Sequence, residues 1–356
     1  VGVRTVSPAP QLLADQVRLR LVFRILAILG CAVLLAAALT YALAVGSQSI
    51  PVDQVIAALR DDADLKKSVL IIVREVRLPR ALVGALVGLN LSVAGVMLQG
   101  VVRSPLGDPY VLGVSAGGGL AAAVVLLQTD AAPGVVPIAA FAGSLIGALV
   151  VYGAAWDRSG ASTVRLALAG VAVTATMNAF TTTVVAMTVT VGAQAVFQWL
   201  VGGLYTAAWA DFDLIWPYSA VGLVAALLLA GRANVLALGD EIAQGLGLHV
   251  EWTRFLMAAV AAVLAGSSVA VAGLVAFVGL LVPYLARRLV GSDYRFLIPA
   301  SALLGAALMV AADTAARYSI PALLGQSGIE FPVGIITAVI GGPLFLWLVR
   351  ERRSQW

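Results

Sequence analysis

One arrangement in this sequence spells out a reaction: Gly113-Val-Ser115-Ala-Gly117 fits G-x-S-x-G, the pattern of a serine nucleophile held on a sharp turn. A serine hydroxyl attacks only when a base takes its proton, and the chain holds a single histidine, His249. That histidine falls between apolar runs far from Ser115. The same five residues also read as a small-residue helix face, Gly113-x-x-x-Gly117, repeated at Gly84/Gly88 and Gly143/Gly147, which lets two backbones approach closely. The packing reading is preferred, and no catalytic residue is expected. One cysteine, Cys31, and one histidine are too few for a disulfide or a Cys/His metal centre, so neither a metal nor a cofactor is expected on this chain. The phosphate loop G-x-x-x-x-G-K-[ST] is missing, which puts any ATP on another chain.

The remaining polar residues are few and spaced. Thr174, Asn178, Thr181 and Thr188 follow one another at helical intervals and share a face, an uncharged stripe through an apolar element that suits a path which must not grip its cargo. The alternative is ordinary: interhelical hydrogen bonds, or threonines bonded to their own i−4 carbonyls. Gln194 precedes and Gln198 lies in a short amphipathic piece, residues 195–204, that Gly202-Gly203 keeps from being a span and that is expected near the outer mouth.

Composition sets the elements that carry these residues. Of 356 residues 61% are hydrophobic and 11% charged, against about 25% charged in a soluble domain. Apolar runs lie near 22–45, 80–101, 110–127, 135–155, 164–190, 213–230, 253–286, 296–315 and 332–349. A helix needs about 20 residues to cross roughly 30 Å of hydrocarbon, so the runs predict a polytopic helical membrane protein. They exclude a water-soluble fold, and also a β-barrel, whose short strands alternate in polarity. Phe255–Ala286 would be about 48 Å long as one helix. It carries Gly266-Ser-Ser268, Gly273 and Gly279 as breakers and arginine at both ends, so it is expected to fold back as two helices. The result is an all-α fold of ten spans, one domain over residues 1–356, with tails at 1–20 and 350–356. The first run exceeds the apolar core of a signal peptide and is read as a retained span.

With the N-terminus inside, 15 of the 22 Lys and Arg fall on inner segments. Arg60, Lys66, Lys67, Arg74, Arg77 and Arg80 crowd into one outer segment, and Arg317 stands alone in another. Asp53, Asp61, Asp62, Asp64 and Glu75 neutralise much of that loop, but Arg77 and Arg80, bracketing Pro79 at the membrane entry, call for a role beyond topology. No basic cluster interleaves with aromatics, so no nucleic acid is expected. The middles of the spans nearly lack charge, which points to an energy source on a partner chain; an ion-coupled secondary transporter is the alternative. The inner segment 232–250, with Gly239, Gly245 and Gly247 among small apolar residues, predicts two short helices with tight turns, a knob for a partner's groove.

Taken in order, these pieces resemble the FecCD-type permeases, the membrane subunits of type II ABC importers for iron-siderophores, haem and vitamin B12. The likeness runs over residues 20–350. It rests on Arg77-Leu-Pro-Arg80, Gln99-Gly100, Ser104-Pro-Leu-Gly-Asp-Pro109, Leu112-Gly-Val-Ser-Ala-Gly117 and Ala233-Asn-Val-Leu-Ala-Leu-Gly-Asp-Glu241 with Leu246-Gly-Leu248. It continues through Gly273, Phe277-Val-Gly-Leu-Leu-Val-Pro283, Gly291-Ser-Asp293, Ala312-Asp313 and Glu330-Phe-Pro-Val-Gly334 to Trp347. The resemblance implies ten spans per subunit in a bacterial plasma membrane, both termini cytoplasmic, and a homodimer or a pair with a paralogue around a path along the fifth span. It implies two ATPase subunits, carrying ATP and Mg, docked on Asn234, Leu236, Leu238, Gly239, Asp240, Glu241, Gly245, Leu246 and Gly247. It also implies an extracytoplasmic binding protein whose carboxylates meet Arg77, Arg80 and Arg317. Two departures stand out: Tyr284 where many relatives have histidine, and Gly107 for a common alanine. Without a membrane-embedded histidine, imidazole ligation of haem in the path is not expected, and a ferric siderophore is favoured over haem or a corrinoid.

Overall fold

The computed structural model describes residues 10–46, 48–61, 65–105, 107–127, 134–157, 162–187, 192–319, 321 and 330–352. Among these, regular structure is helical throughout. Helix α1 is Pro10–Ala44, α2 Val52–Leu59 and α3 Lys67–Ile71, which runs through a π-helical turn, Ile72–Arg77, into α4, Leu78–Val102. A 3₁₀ turn at Pro109–Leu112 precedes α5, Val114–Leu126; α6 is Val135–Ala155, α7 Thr163–Ala186, α8 Gly192–Val201 and α9 Trp209–Leu236. Then come α10, Asp240–Gly245, α11, Val250–Ala272, α12, Val278–Val290, α13, Tyr294–Thr314 with a π turn to Ser319, and α14, Val333–Arg352.

Helix α4 is the axis of the bundle, buried over most of its length, whereas few residues of α1 and α7 are buried. Its glycines explain the position. A Cβ on Gly88 would overlap the carbonyl oxygen of Gly305 in α13, and one on Gly95 would overlap that of Gly279 in α12. Helices surrounded by hydrocarbon gain little from expelling water, so this backbone approach supplies the van der Waals contact that holds them. The α5–α6 pair closes in the same way, Gly117 against Gly143 and Gly147 against Gly113. The G-x-S-x-G motif is therefore a packing face, and Ser115 is buried in it.

Seven helices among the described residues are long and apolar enough to cross a membrane. The expected ten depend on shorter pieces: the apolar α5 and residues 333–345 of α14, and α12, whose last turn carries Arg287 and Arg288; α5 and α12 are 13 residues or about 20 Å each. The stretch 253–286 does divide in two, but not at Gly266-Ser-Ser268. Ser267 and Ser268 donate their hydroxyls to Leu264 O at 2.9 and 3.1 Å and stay inside α11. The break falls at 273–277, where Gly273 and Phe277 both have positive φ. Backbone groups freed by such breaks are met by other breaks: Gly203 N–H donates to Ala272 O at 2.9 Å, and Gly334 N–H to Gly202 O at 3.2 Å. The segment 232–250 holds one short helix rather than two, because α9 continues to Leu236 before the chain turns into α10.

Candidate functional site

The end of the bundle expected on the outer side gathers the arginines singled out by sequence. Arg77, at the end of the π turn, donates to the carbonyls of Leu43 at 2.7 Å, Ala44 at 3.1 Å and Gln48 at 2.6 Å. Leu43 and Ala44 close α1, so their carbonyls have no partner within the helix, and the guanidinium caps them. Its terminal nitrogen fills the space that a side chain at Gly46 would need. Arg80 grips Asp313 with Nε to Oδ2 at 3.1 Å and Nη2 to Oδ1 at 3.0 Å, and Nη1 reaches Glu330 Oε2 at 3.0 Å. Arg317, one turn along from Asp313, pairs with the same carboxylate at 3.2 Å and lies 5.0 Å from the Tyr318 ring centre. The three arginines are 3%, 6% and 6% exposed, so each is held within the chain rather than extended from it, although Arg317 Nε, ion-paired with Asp313, makes no hydrogen bond among the described residues. Glu330 is the accessible member. Tyr205 borders the group; burial first, and the Glu330 carboxylate second, push its hydroxyl up to about 12, so it stays neutral. Elsewhere in the outer segment Arg74 pairs with Asp61, while Asp62 and Asp64 lie outside the described residues.

The opposite end, expected on the inner side, carries the α9–α10–α11 corner. Gly239, φ +106, turns the chain so that Asp240 opens α10. Arg254, 2% exposed in the first turns of α11, donates to both Asp240 oxygens at 3.0 and 3.1 Å and to Glu251 at 2.9 Å. Arg103, at the end of α4, reaches Asp240 at 2.7 Å. The corner is closed by Leu248 N–H to Ala243 O and Gly247 N–H to Gln244 O, both 2.9 Å, the paired bonds of a helix ending on a left-handed glycine. Asn234 fastens the end of α9 to α13, donating to Asp293 Oδ1 at 2.7 Å and accepting from Tyr294 N–H at 3.0 Å. Leu236 and Ala243 are the buried anchors, whereas Leu238, Ile242 and Leu246 are more than half exposed, with Glu241 and Gly245 beside them. A rigidly braced corner thus presents aliphatic side chains to the outside. Ile242 and Arg254 were not singled out by sequence, although Ile242 shares the face of its predicted neighbours.

The stripe on α7 divides. Thr181 is buried with its hydroxyl on Met177 O at 3.0 Å, Thr174 is half-buried, Asn178 is exposed, and Thr188 lies outside the described residues. Thr176, Thr182 and Thr183, also exposed, each bond their own i−4 carbonyl at 2.9 Å. A further polar node went unnoticed in the sequence: Asn90 of α4 donates to Ser219 of α9 at 2.9 Å and to Ser267 of α11 at 3.2 Å, all buried.

The sequence profile of the FecCD transport family matches residues 34–351. The chain belongs to the FecCD transport family. It is 39% identical over 333 residues to the Fe(3+)-citrate import system permease protein YfmE of Bacillus subtilis, covering 93% of this chain and 97% of that one. It is 42% identical over 286 residues to the cobalamin import system permease protein BtuC of Halobacterium salinarum, covering 80% and 75%. Its fold is similar to that of a solved metal-chelate type ABC transporter in an inward-facing conformation, with TM-score 0.78 and 26% identity over 91% of this chain and 98% of that one. In this FecCD chain Ser115 is buried in a helix contact.

Proposed function

We propose that this chain is the membrane permease of an ATP-binding-cassette importer for an iron chelate, a ferric siderophore, with haem or a corrinoid as the alternative cargo. The observation that carries the reading is its near full-length similarity to an Fe(3+)-citrate import permease, and the braced inner corner supports it. In this reading two ATPase subunits, holding ATP and Mg, receive Leu238, Ile242 and Leu246 in a groove. Motion passes into the bundle through Asp240–Arg254 and Asn234–Asp293. A second copy of the permease covers the exposed polar face of α7. Exposed Asn178 is costly against lipid but suits a path between two subunits. The plasma membrane holds the pair with both termini cytoplasmic, and a binding protein delivers cargo at the outer end. Its carboxylates would have to exchange with Asp313 or Glu330 to meet Arg80 and Arg317, because those guanidiniums already have partners.

Reconstitution in liposomes with the cognate ATPase and binding protein tests this. ATP-dependent uptake of a labelled ferric siderophore is expected. Uptake of cobalamin or haem alone would reassign the cargo, and ion-gradient uptake without the ATPase would overturn the importer.

A further inference from the structure

Beside the α9–α10 corner, where α4 and α12 end and α13 begins, lies a cavity of about 370 Å³. Its polar lining is rich in donors: the guanidiniums of Arg103 and Arg287, the amide of Gln99, and the hydroxyls of Tyr284, Ser292 and Tyr294. No carboxylate lines it among the described residues. Arg287 donates to Gln99 Oε1 at 3.3 Å and lies 5.7 Å from the Tyr294 ring centre, and no described carboxylate pairs with it. With its oxygen taken, Gln99 is left with an amide nitrogen that has no hydrogen-bond partner, although the residue is only 4% exposed. A buried donor without an acceptor is costly and marks a place where an acceptor belongs. Arg103 has φ +46, a left-handed conformation that glycine adopts at less cost, so its side chain is kept there against a backbone penalty.

We propose that this cavity binds a phosphate-type oxyanion. Guanidiniums are always charged and planar, and their paired N–H groups match the oxygens of such an anion. The volume falls at the lower end of the range of about 300–1,000 Å³ for small-ligand pockets, which leaves room for the group that carries the phosphate. That group is a phosphorylated solute or a phospholipid headgroup. Arg103 is shared with Asp240, so an occupant competes for one of the two arginines that hold the first residue of α10. Occupancy of the cavity and the setting of the corner are thereby linked through one side chain. The inference rests on the permease reading only for the side of the membrane on which the cavity opens. Binding to the purified chain tests the site whether or not that reading stands.

Inorganic phosphate is titrated calorimetrically into the purified full chain in phosphate-free neutral detergent, then in nanodiscs of neutral and of anionic phospholipid. Saturable binding is expected, weakened about tenfold or more by Arg287→Gln, and by a smaller factor by Gln99→Leu. Arg165→Gln, which removes a guanidinium paired with Asp157 outside the cavity, should leave it unchanged. Binding in detergent and in both discs assigns a solute. Binding lost only in anionic discs, with anionic lipid retained by the wild type and released by Arg287→Gln, assigns a headgroup. If Arg287→Gln does not fold, Arg287→Lys and Gln99→Leu carry the comparison. Absence of both phosphate and lipid binding, as when only an acidic side chain of an ATPase subunit fills the cavity, overturns the proposal. So does binding indifferent to both substitutions, which marks an adventitious ion only.

Discussion

Arg80 of α4 and Asp313 of α13 form a two-point ion pair, 3.1 and 3.0 Å, in which both side chains are buried. Arg317 leans on the same carboxylate, so one acidic group answers two guanidiniums. Removing it is therefore worse than removing either arginine. Asp313→Asn should destabilise the protein by about 3–5 kcal/mol, the cost of leaving a buried charge without its partner. Glu330→Gln, at a half-exposed position, should cost no more than about 1 kcal/mol. Thermal or denaturant unfolding in detergent measures both, and an Asp313→Asn protein as stable as the wild type would contradict the latch.

Arg77 and Gly46 make a second pair that stands or falls together. The guanidinium that caps α1 occupies the space beside Gly46, so Gly46→Val should expel it without any change of charge. Arg77→Gln removes the cap directly. Each should cost about 1–3 kcal/mol and raise amide hydrogen exchange over residues 40–46. The double substitution should cost little more than the worse single one, because both act on one contact. Additive losses would separate the two residues.

At the inner corner the glycines are not equivalent. Gly239 has φ +106 and ψ 156, a region closed to residues with a Cβ, whereas Gly245 ends α10 with open space around it. Gly239→Ala should strain the turn by about 1–3 kcal/mol and shift α10 on its Asp240–Arg254 brace. Gly245→Ala should be tolerated. In proteoliposomes with the ATPase, the ratio of ATP hydrolysed to substrate imported should rise for Gly239→Ala and stay at the wild-type value for Gly245→Ala. Equal behaviour of the two variants would reject the corner as the coupling element.

The extent to which these features could be read in advance follows from the range of the interactions. Run lengths report directly on helices that cross hydrocarbon, so the spans were legible, and the stretch 253–286 was visibly too long for one of them. Of the three breakers read in it, Gly273 is where the chain turns and Gly266-Ser-Ser268 is not. A serine in hydrocarbon can satisfy itself on its own helix, as Ser267 and Ser268 do, whereas Gly273 has positive φ and holds Trp199 O where a side chain would stand. Arg77, Arg80 and Arg317 stood out as basic residues on the outer side. Asp313, 233 residues from Arg80, gave no local sign of pairing with it. On α7 the periodicity found a shared face without showing its surroundings, which is why Thr181 turned out buried and Asn178 exposed.

If a binding protein docks on Arg77, Arg80 and Arg317 as proposed, their internal pairing makes docking a matter of competition. Three guanidiniums face two carboxylates there, a surplus of one positive charge, and an incoming carboxylate must compete with Asp313 or Glu330. Asp313 is buried and holds two partners, so Glu330, half-exposed and bonded to one nitrogen of Arg80, is the group that yields. Glu330→Gln should therefore raise the surplus and free a donor without disturbing the latch. Association of the binding protein with the reconstituted permease should become several-fold faster at low salt, and the gain should shrink once the Debye length falls to about 8 Å at physiological ionic strength. Slower association of Glu330→Gln would show the reverse arrangement, in which Glu330 itself meets a basic group on the partner while the arginines serve only to hold the outer ends of α1, α4 and α13 together.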